Sequence, residues 1–140
     1  MSQQIFFTNS PAEAIDGIIS QSGAAKTFVL VDDNTARYVL PRIAEASRLL
    51  SQAKVITVKS GDTNKNLTSL SHVWDELQKG GATRHSLLIN LGGGMITDMG
   101  GFAGATFKRG LHFVNIPTTL LSAVDAAVGG KTGINFNGLK

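Results

Sequence analysis

Two stretches concentrate the residue types that chemistry uses. The first, GGGMITDMGG, runs from Gly92 to Gly101; three glycines follow an apolar run, and Asp98 comes four residues after the last of them. Glycine runs weaken a fold unless the bare backbone is put to use. Where a strand turns into a helix that use is anion binding, because free N–H groups and the helix dipole both favour a phosphate. Gly92-x-Gly94 opens the usual dinucleotide fingerprint, but Thr97 stands where its third glycine belongs. On the glycines alone, a plain tight turn is an equal reading. Gly100, Gly101 and Gly104 carry a structural expectation: their helix packs unusually close to its neighbours.

The second stretch, NIPTTLLSAVDAAVGGKTGINFNGLK, runs from Asn115 to Lys140. Thr118 and Thr119 place two hydroxyls at a helix start, where capping is the ordinary role. Asp125 lies within an otherwise apolar helix, either facing solvent or serving a site. Lys131 sits between a glycine pair and Thr132. GGKT ends like a phosphate-binding P-loop, but that motif's leading glycine would fall at Asp125, so the P-loop is excluded. A lysine on a glycine turn either reaches an anion or is solvated, and composition leaves these even. His72, His85 and His112 share no metal spacing, and each reads as a surface or capping histidine.

The elements that must hold these residues alternate. Ser10 caps a first helix, with Pro11 in its first turn, Glu13 completing a capping box, Ile15, Ile18 and Ile19 as its apolar face, and Gly23 as its stop. TFVLV (27–31) reads as a buried strand, and KVITV (54–58), SLLINL (86–91) and HFVNI (112–116) read as further strands. A second helix spans 35–50 and is bent or split at Pro41. Leu67, Leu70, Trp74 and Leu77 share one helical face that ends at Gly80 and Gly81. Helices over 95–108 and 120–128 complete the pattern. This is an α/β chain: a Rossmann-like parallel sheet with helices on both faces.

Composition bounds the partners. The chain has 140 residues, 42% hydrophobic and 16% charged, with a net charge of +3. That is enough for one domain with a core. No basic tract argues for nucleic acid, and no apolar run approaches membrane-spanning length. The absence of cysteine excludes disulfides and thiolate metal sites. No signal peptide is visible, so a cytoplasmic protein is expected.

GGGMITDMGGFAGATFKRG, PTTLL and VDAAVGGKTG together resemble the sugar-phosphate cyclases, specifically the 3-dehydroquinate synthases. The likeness is dense over 92–135 and continues, more loosely, through LVDDN and SGDTNK. The glycine turn with its aspartate is shared with metal-dependent polyol dehydrogenases; Pro-Thr-Thr followed by Asp-x-x-Val-Gly-Gly-Lys-Thr points to the cyclases. The resemblance implies an enzyme that converts 3-deoxy-D-arabino-heptulosonate 7-phosphate, a seven-carbon sugar-acid phosphate, into 3-dehydroquinate and phosphate, with NAD acting catalytically. It implies Asp33 near the adenosine end, Ser60, Gly61, Asp62 and Lys65 at the adenosine ribose and a phosphate, Gly93, Gly94 and Asp98 at the pyrophosphate turn and ribose, and Thr118 and Thr119 beside the nicotinamide half. Asp125, Lys131 and Lys140 are implied where nicotinamide meets substrate. Arg109 is implied to reach the substrate phosphate of a neighbouring subunit, in a homodimer. NAD is expected over NADP, since Asp33 and Asp62 would repel a 2′-phosphate.

This chain departs from the family at Asp62, where glutamate is usual, and at NFNGLK, which lacks a histidine and a glycine near Lys140. The family's catalytic metal, zinc or cobalt, is implied to sit on a helical C-terminal domain that lies outside this chain. Residues 1–140 are thus expected to be the N-terminal NAD-binding half, inactive by themselves and without a metal site of their own. The rival readings are the NAD domain of a polyol or glycerol-phosphate dehydrogenase, and a stand-alone nucleotide-binding module.

Overall fold

The computed structural model describes residues 11–118. Within them lie four strands, β1 (Thr27–Asp32), β2 (Lys54–Val58), β3 (Leu87–Gly92) and β4 (His112–Pro117), and six α-helices, α1 (Pro11–Ser22), α2 (Asp33–Tyr38), α3 (Leu40–Ala46), α4 (Arg48–Ser51), α5 (Leu67–Lys79) and α6 (Gly94–Thr106). The strands are parallel, in the order β2-β1-β3-β4. Val55, Val29, Ile89 and Val114 lie in one register row across the sheet.

The central strands are near-continuous apolar runs because helices cover both of their faces. Successive side chains point to opposite faces. Phe28, Leu30, Ile56 and Leu88 pack with Leu70, Val73 and Leu77 of α5 and Ile96, Met99 and Ala103 of α6. Val29, Val31, Leu87, Ile89 and Leu91 face the other way, against Ile15 and Ile19 of α1, Ile43 of α3 and Leu50 of α4. The expected α/β sheet with helices on both faces is therefore present.

The helix ends follow local chemistry. Gly23, at φ 66°, takes the left-handed conformation that closes α1. The carboxyl end of α5 meets two lysines: Lys26 Nζ donates to Gly80 O at 3.0 Å and Lys54 Nζ to Glu76 O at 3.0 Å. Cations there complement the helix dipole.

Three differences from the sequence reading have physical causes. The helix expected over 35–50 is three short helices. Pro41 falls in the first turn of α3, so the first break comes at Val39. The second comes at Ser47, whose hydroxyl donates to Asp16 Oδ1 of α1 at 2.6 Å and accepts from Leu50 N at 3.2 Å. The apolar face of α5 buries Val73 with Leu70 and Leu77, whereas Leu67, in the first turn, is 45% exposed. The helix expected to reach Lys108 ends at Thr106, and a 3-10 turn (Phe107–Arg109) with left-handed Lys108 and Arg109 follows. Ser10, Thr119 and the helix expected over 120–128 lie outside the described residues.

The order of the strands creates the site. The chain steps outward from β1 to β2, then returns past β1 to β3. Loops leaving the carboxyl ends of β1 and β3 thus diverge and leave a crevice between them, the place where open α/β sheets bind ligands.

Candidate functional site

Three loops meet above that crevice. The first follows β1. Asp32 caps α2: its Oδ1 accepts from Thr35 N at 2.8 Å, while Thr35 Oγ1 accepts from Asp32 N at 2.9 Å. This box starts the helix at Asp33, which is thereby turned outward. Asp33 Oδ1 accepts from Ser60 N at 3.2 Å. Its hydrogen bonds to Ser60 hold the carboxyl below its ordinary pKa.

The second loop follows β2. Gly61 sits at φ 102°, and a 3-10 turn over Asp62–Asn64 closes with Asn64 N donating to Gly61 O and Lys65 N to Asp62 O. Asn64 Nδ2 ties the turn to Ser60 O at 2.8 Å. The turn throws the Lys65 side chain inward, where only 7% of it remains exposed. Its ammonium lies 3.0 Å from Asp98 Oδ2 and 3.3 Å from Asp62 Oδ1. Burial alone would lower the Lys65 pKa, but the Asp98 and Asp62 carboxylates outweigh it and hold the ammonium above its ordinary value.

The third loop is the glycine turn. A side chain at Gly92 would strike Ile96, with Cβ 2.8 Å from Cβ, so that glycine lets α6 start close to the strand. Gly93 is the N-cap of α6, and no side chain caps this helix. At Gly94 an added Cβ would meet nothing within 4 Å. Its bareness thus serves neither packing nor a positive φ, and it leaves the amino end of α6 open to a ligand. One turn on, Asp98 carries a buried Oδ1 that has no hydrogen-bond partner among the described residues. A buried carboxylate oxygen left unmet is uncommon, and a ligand hydroxyl is the natural complement. Thr118 N donates to Gly92 O at 2.9 Å, which brings the start of the Pro-Thr-Thr stretch to the same turn.

The structure therefore gathers Asp33, Ser60, Gly61, Asp62, Lys65, Gly93, Gly94, Asp98 and Thr118 around one crevice. It places Arg109 elsewhere: beyond the far end of α6, at φ 66°, before β4 begins. Thr119, Asp125, Lys131 and Lys140 lie outside the described residues. His72, His85 and His112 are exposed, on α5, in a loop and at the start of β4. Among the described residues no three metal-ligating side chains cluster, and no helix is long and apolar enough to cross a membrane. Asn90 and Asn115 escaped the sequence reading. Their signal was a polar residue inside the apolar run LLINL, and the same in HFVNI.

A family model for the N-terminal part of 3-dehydroquinate synthase matches residues 55–140. The 3-dehydroquinate synthase of Parabacteroides distasonis is 50% identical over 138 residues, 99% of this chain and 39% of that protein. That of Pyrococcus abyssi is 43% identical over 129 residues, 92% of this chain and 38% of its own length. The chain thus spans about two fifths of the length of these curated relatives. Among solved structures, 2-deoxy-scyllo-inosose synthase complexed with carbaglucose-6-phosphate, NAD+ and Co2+ superposes with a TM-score of 0.80 at 21% identity, over 90% of this chain and 35% of that one, a likeness of fold. With the family model matched over residues 55–140 and a relative 50% identical over 99% of the chain, the chain belongs to the 3-dehydroquinate synthase family, as its N-terminal part.

Proposed function

We propose that this chain is the NAD-binding half of a 3-dehydroquinate synthase. The whole protein would form 3-dehydroquinate and phosphate from 3-deoxy-D-arabino-heptulosonate 7-phosphate, with zinc or cobalt held by a C-terminal domain outside this chain and with a second subunit as partner. The observation that carries the reading is Asp98, held by buried Lys65 beside the glycine turn with one buried oxygen unmet among the described residues.

That oxygen fits a ribose hydroxyl, which donates a hydrogen bond that no described residue supplies. Gly93 and Gly94 let a pyrophosphate approach the open amino end of α6. Asp33 and the 60–65 turn wall the adenosine end, where their carboxylates favour a free 2′-hydroxyl over the phosphate of NADP. NAD, when bound, supplies a site that takes up and returns a hydride. The chain's residues bind and orient it. Thr118 and Thr119 would line the nicotinamide half, with Asp125, Lys131 and Lys140 at substrate; these roles rest on the resemblance. Arg109 would serve the phosphate of the neighbouring subunit's substrate, which suits its place away from its own chain's crevice.

Calorimetric titration tests the reading. The protein should bind NAD more tightly than NADP, and Asp98→Ala should cost about 1–3 kcal/mol of that binding, as for a lost hydrogen bond to a charged group. An Asp98→Ala protein that binds NAD as well as its parent would overturn it. Turnover by the full-length protein that accumulates NADH in place of 3-dehydroquinate would assign the polyol dehydrogenase chemistry instead.

A further inference from the structure

We infer that Asn90 is a positioning residue for the cofactor crevice: its buried amide ties β4, and with it Thr118, to β3 while seating α6, and with it Asp98. This rests on the NAD-binding reading above and concerns a side chain that would not touch NAD.

Asn90 is fully buried on the face of β3 that α6 covers. An interior amide is costly unless its polar atoms are bonded. Its Nδ2 donates to Asn115 Oδ1 at 3.0 Å, across the register pair Asn90–Asn115. Its Oδ1 is buried with no hydrogen-bond partner among the described residues. An apolar side chain would fill the same space without an orphaned acceptor, so stability gives no reason for the amide.

Position does. The side-chain link lies two residues below the Gly92–Pro117 pair, beyond which Thr118 N reaches Gly92 O. It therefore adds a directional tie beneath the point where β4 delivers Thr118 to the glycine turn. The same amide fills the place that a side chain on Gly100 would take, its Oδ1 lying nearest to the position of the missing Cβ and its Nδ2 2.6 Å from it. Gly100 is two residues beyond Asp98 in α6. One side chain thus touches both elements that frame the crevice, fixing the separation of Thr118 from Asp98.

The test separates this role from packing. Asn90→Ala and Asn115→Ala should each weaken NAD binding about five-fold, the loss of one hydrogen bond, and the double variant should be no weaker than either. Asn90→Ala/Gly100→Ala, in which the new methyl enters the vacated space, should recover melting temperature but not NAD affinity. Affinity that returns together with melting temperature, or an Asn115→Ala protein within two-fold of its parent, would overturn the inference; Asn115 is only half-buried, so its variant reports even if Asn90→Ala fails to fold. A parent protein that does not bind NAD would instead overturn the reading of the crevice on which the inference rests.

Discussion

At the scale of single residues, Lys65 organises the crevice. Its charge is almost wholly out of water, and two carboxylates hold it there. Removing one partner of such a pair leaves the other uncompensated, which costs more than the pair itself contributes. Lys65→Met should therefore destabilise the protein at neutral pH by leaving Asp98, 21% exposed, without its cation. The sign with pH follows from the raised pKa. The lysine's stabilisation is fully present below its ordinary value of 10.5 and is lost as pH rises through the higher folded value. Urea unfolding should show the gap between parent and Lys65→Met constant at neutral pH and shrinking above pH 10.5. A gap that does not shrink would mean the charge is not what stabilises. Asp98 was legible in the sequence, because a carboxylate just after a glycine turn has few roles. Its pairing with Lys65 was not, because 33 residues separate them and only the return of the chain past β1 brings them together.

At the scale of elements, α6 is set by what its glycines omit. Ile96, Gly100 and Gly104 fall on one line of the helix. Ile96 lies over Gly92, Gly100 over the Asn90 amide and Gly104 over Phe113, where an added Cβ would come within 2.8 Å of the ring. Gly104→Val should overpack this seam at a cost of about 1–3 kcal/mol. That exceeds the few tenths that valine gains over glycine in helix propensity. The double variant Gly104→Val/Phe113→Leu should recover part of the lost melting temperature, since leucine leaves the ring's place open. If the single variant melts like its parent, the close approach is not rigid. The spacing of these glycines announced close packing, and the apolar β-branched runs announced all four strands. The three-way split of residues 33–51 was half legible. Pro41 signalled one break, but the break at Ser47 depends on Asp16, a tertiary partner that no local pattern shows.

At the scale of the molecule, the two ends of the sheet make different offers. The carboxyl ends hold the crevice, with its open helix terminus, an Asp98 oxygen unmet among the described residues and three aspartates in a chain whose net charge is +3. The amino ends hold a cavity of about 300 Å³, lined by Ile19, Ala24, Thr27, Phe28, Lys26 and Lys54 among others. Its size would admit part of a nucleotide, and its two lysines would suit a phosphate. Those lysines are already engaged with carbonyls at the end of α5, however, and the described residues around the cavity offer no uncapped helix start. Hydrogen exchange distinguishes the two ends in one experiment. A ligand that binds only the folded state lowers local opening where it sits. NAD should slow exchange of amides in 60–65 and 92–98 and at Thr118, the segments that converge on the glycine turn. Amides 24–28 and Gly80, around the lower cavity, should exchange no more slowly than global stabilisation requires. Protection centred on 24–28 instead would move the nucleotide to the opposite end of the sheet, leaving Lys65 and Asp98 as a structural ion pair.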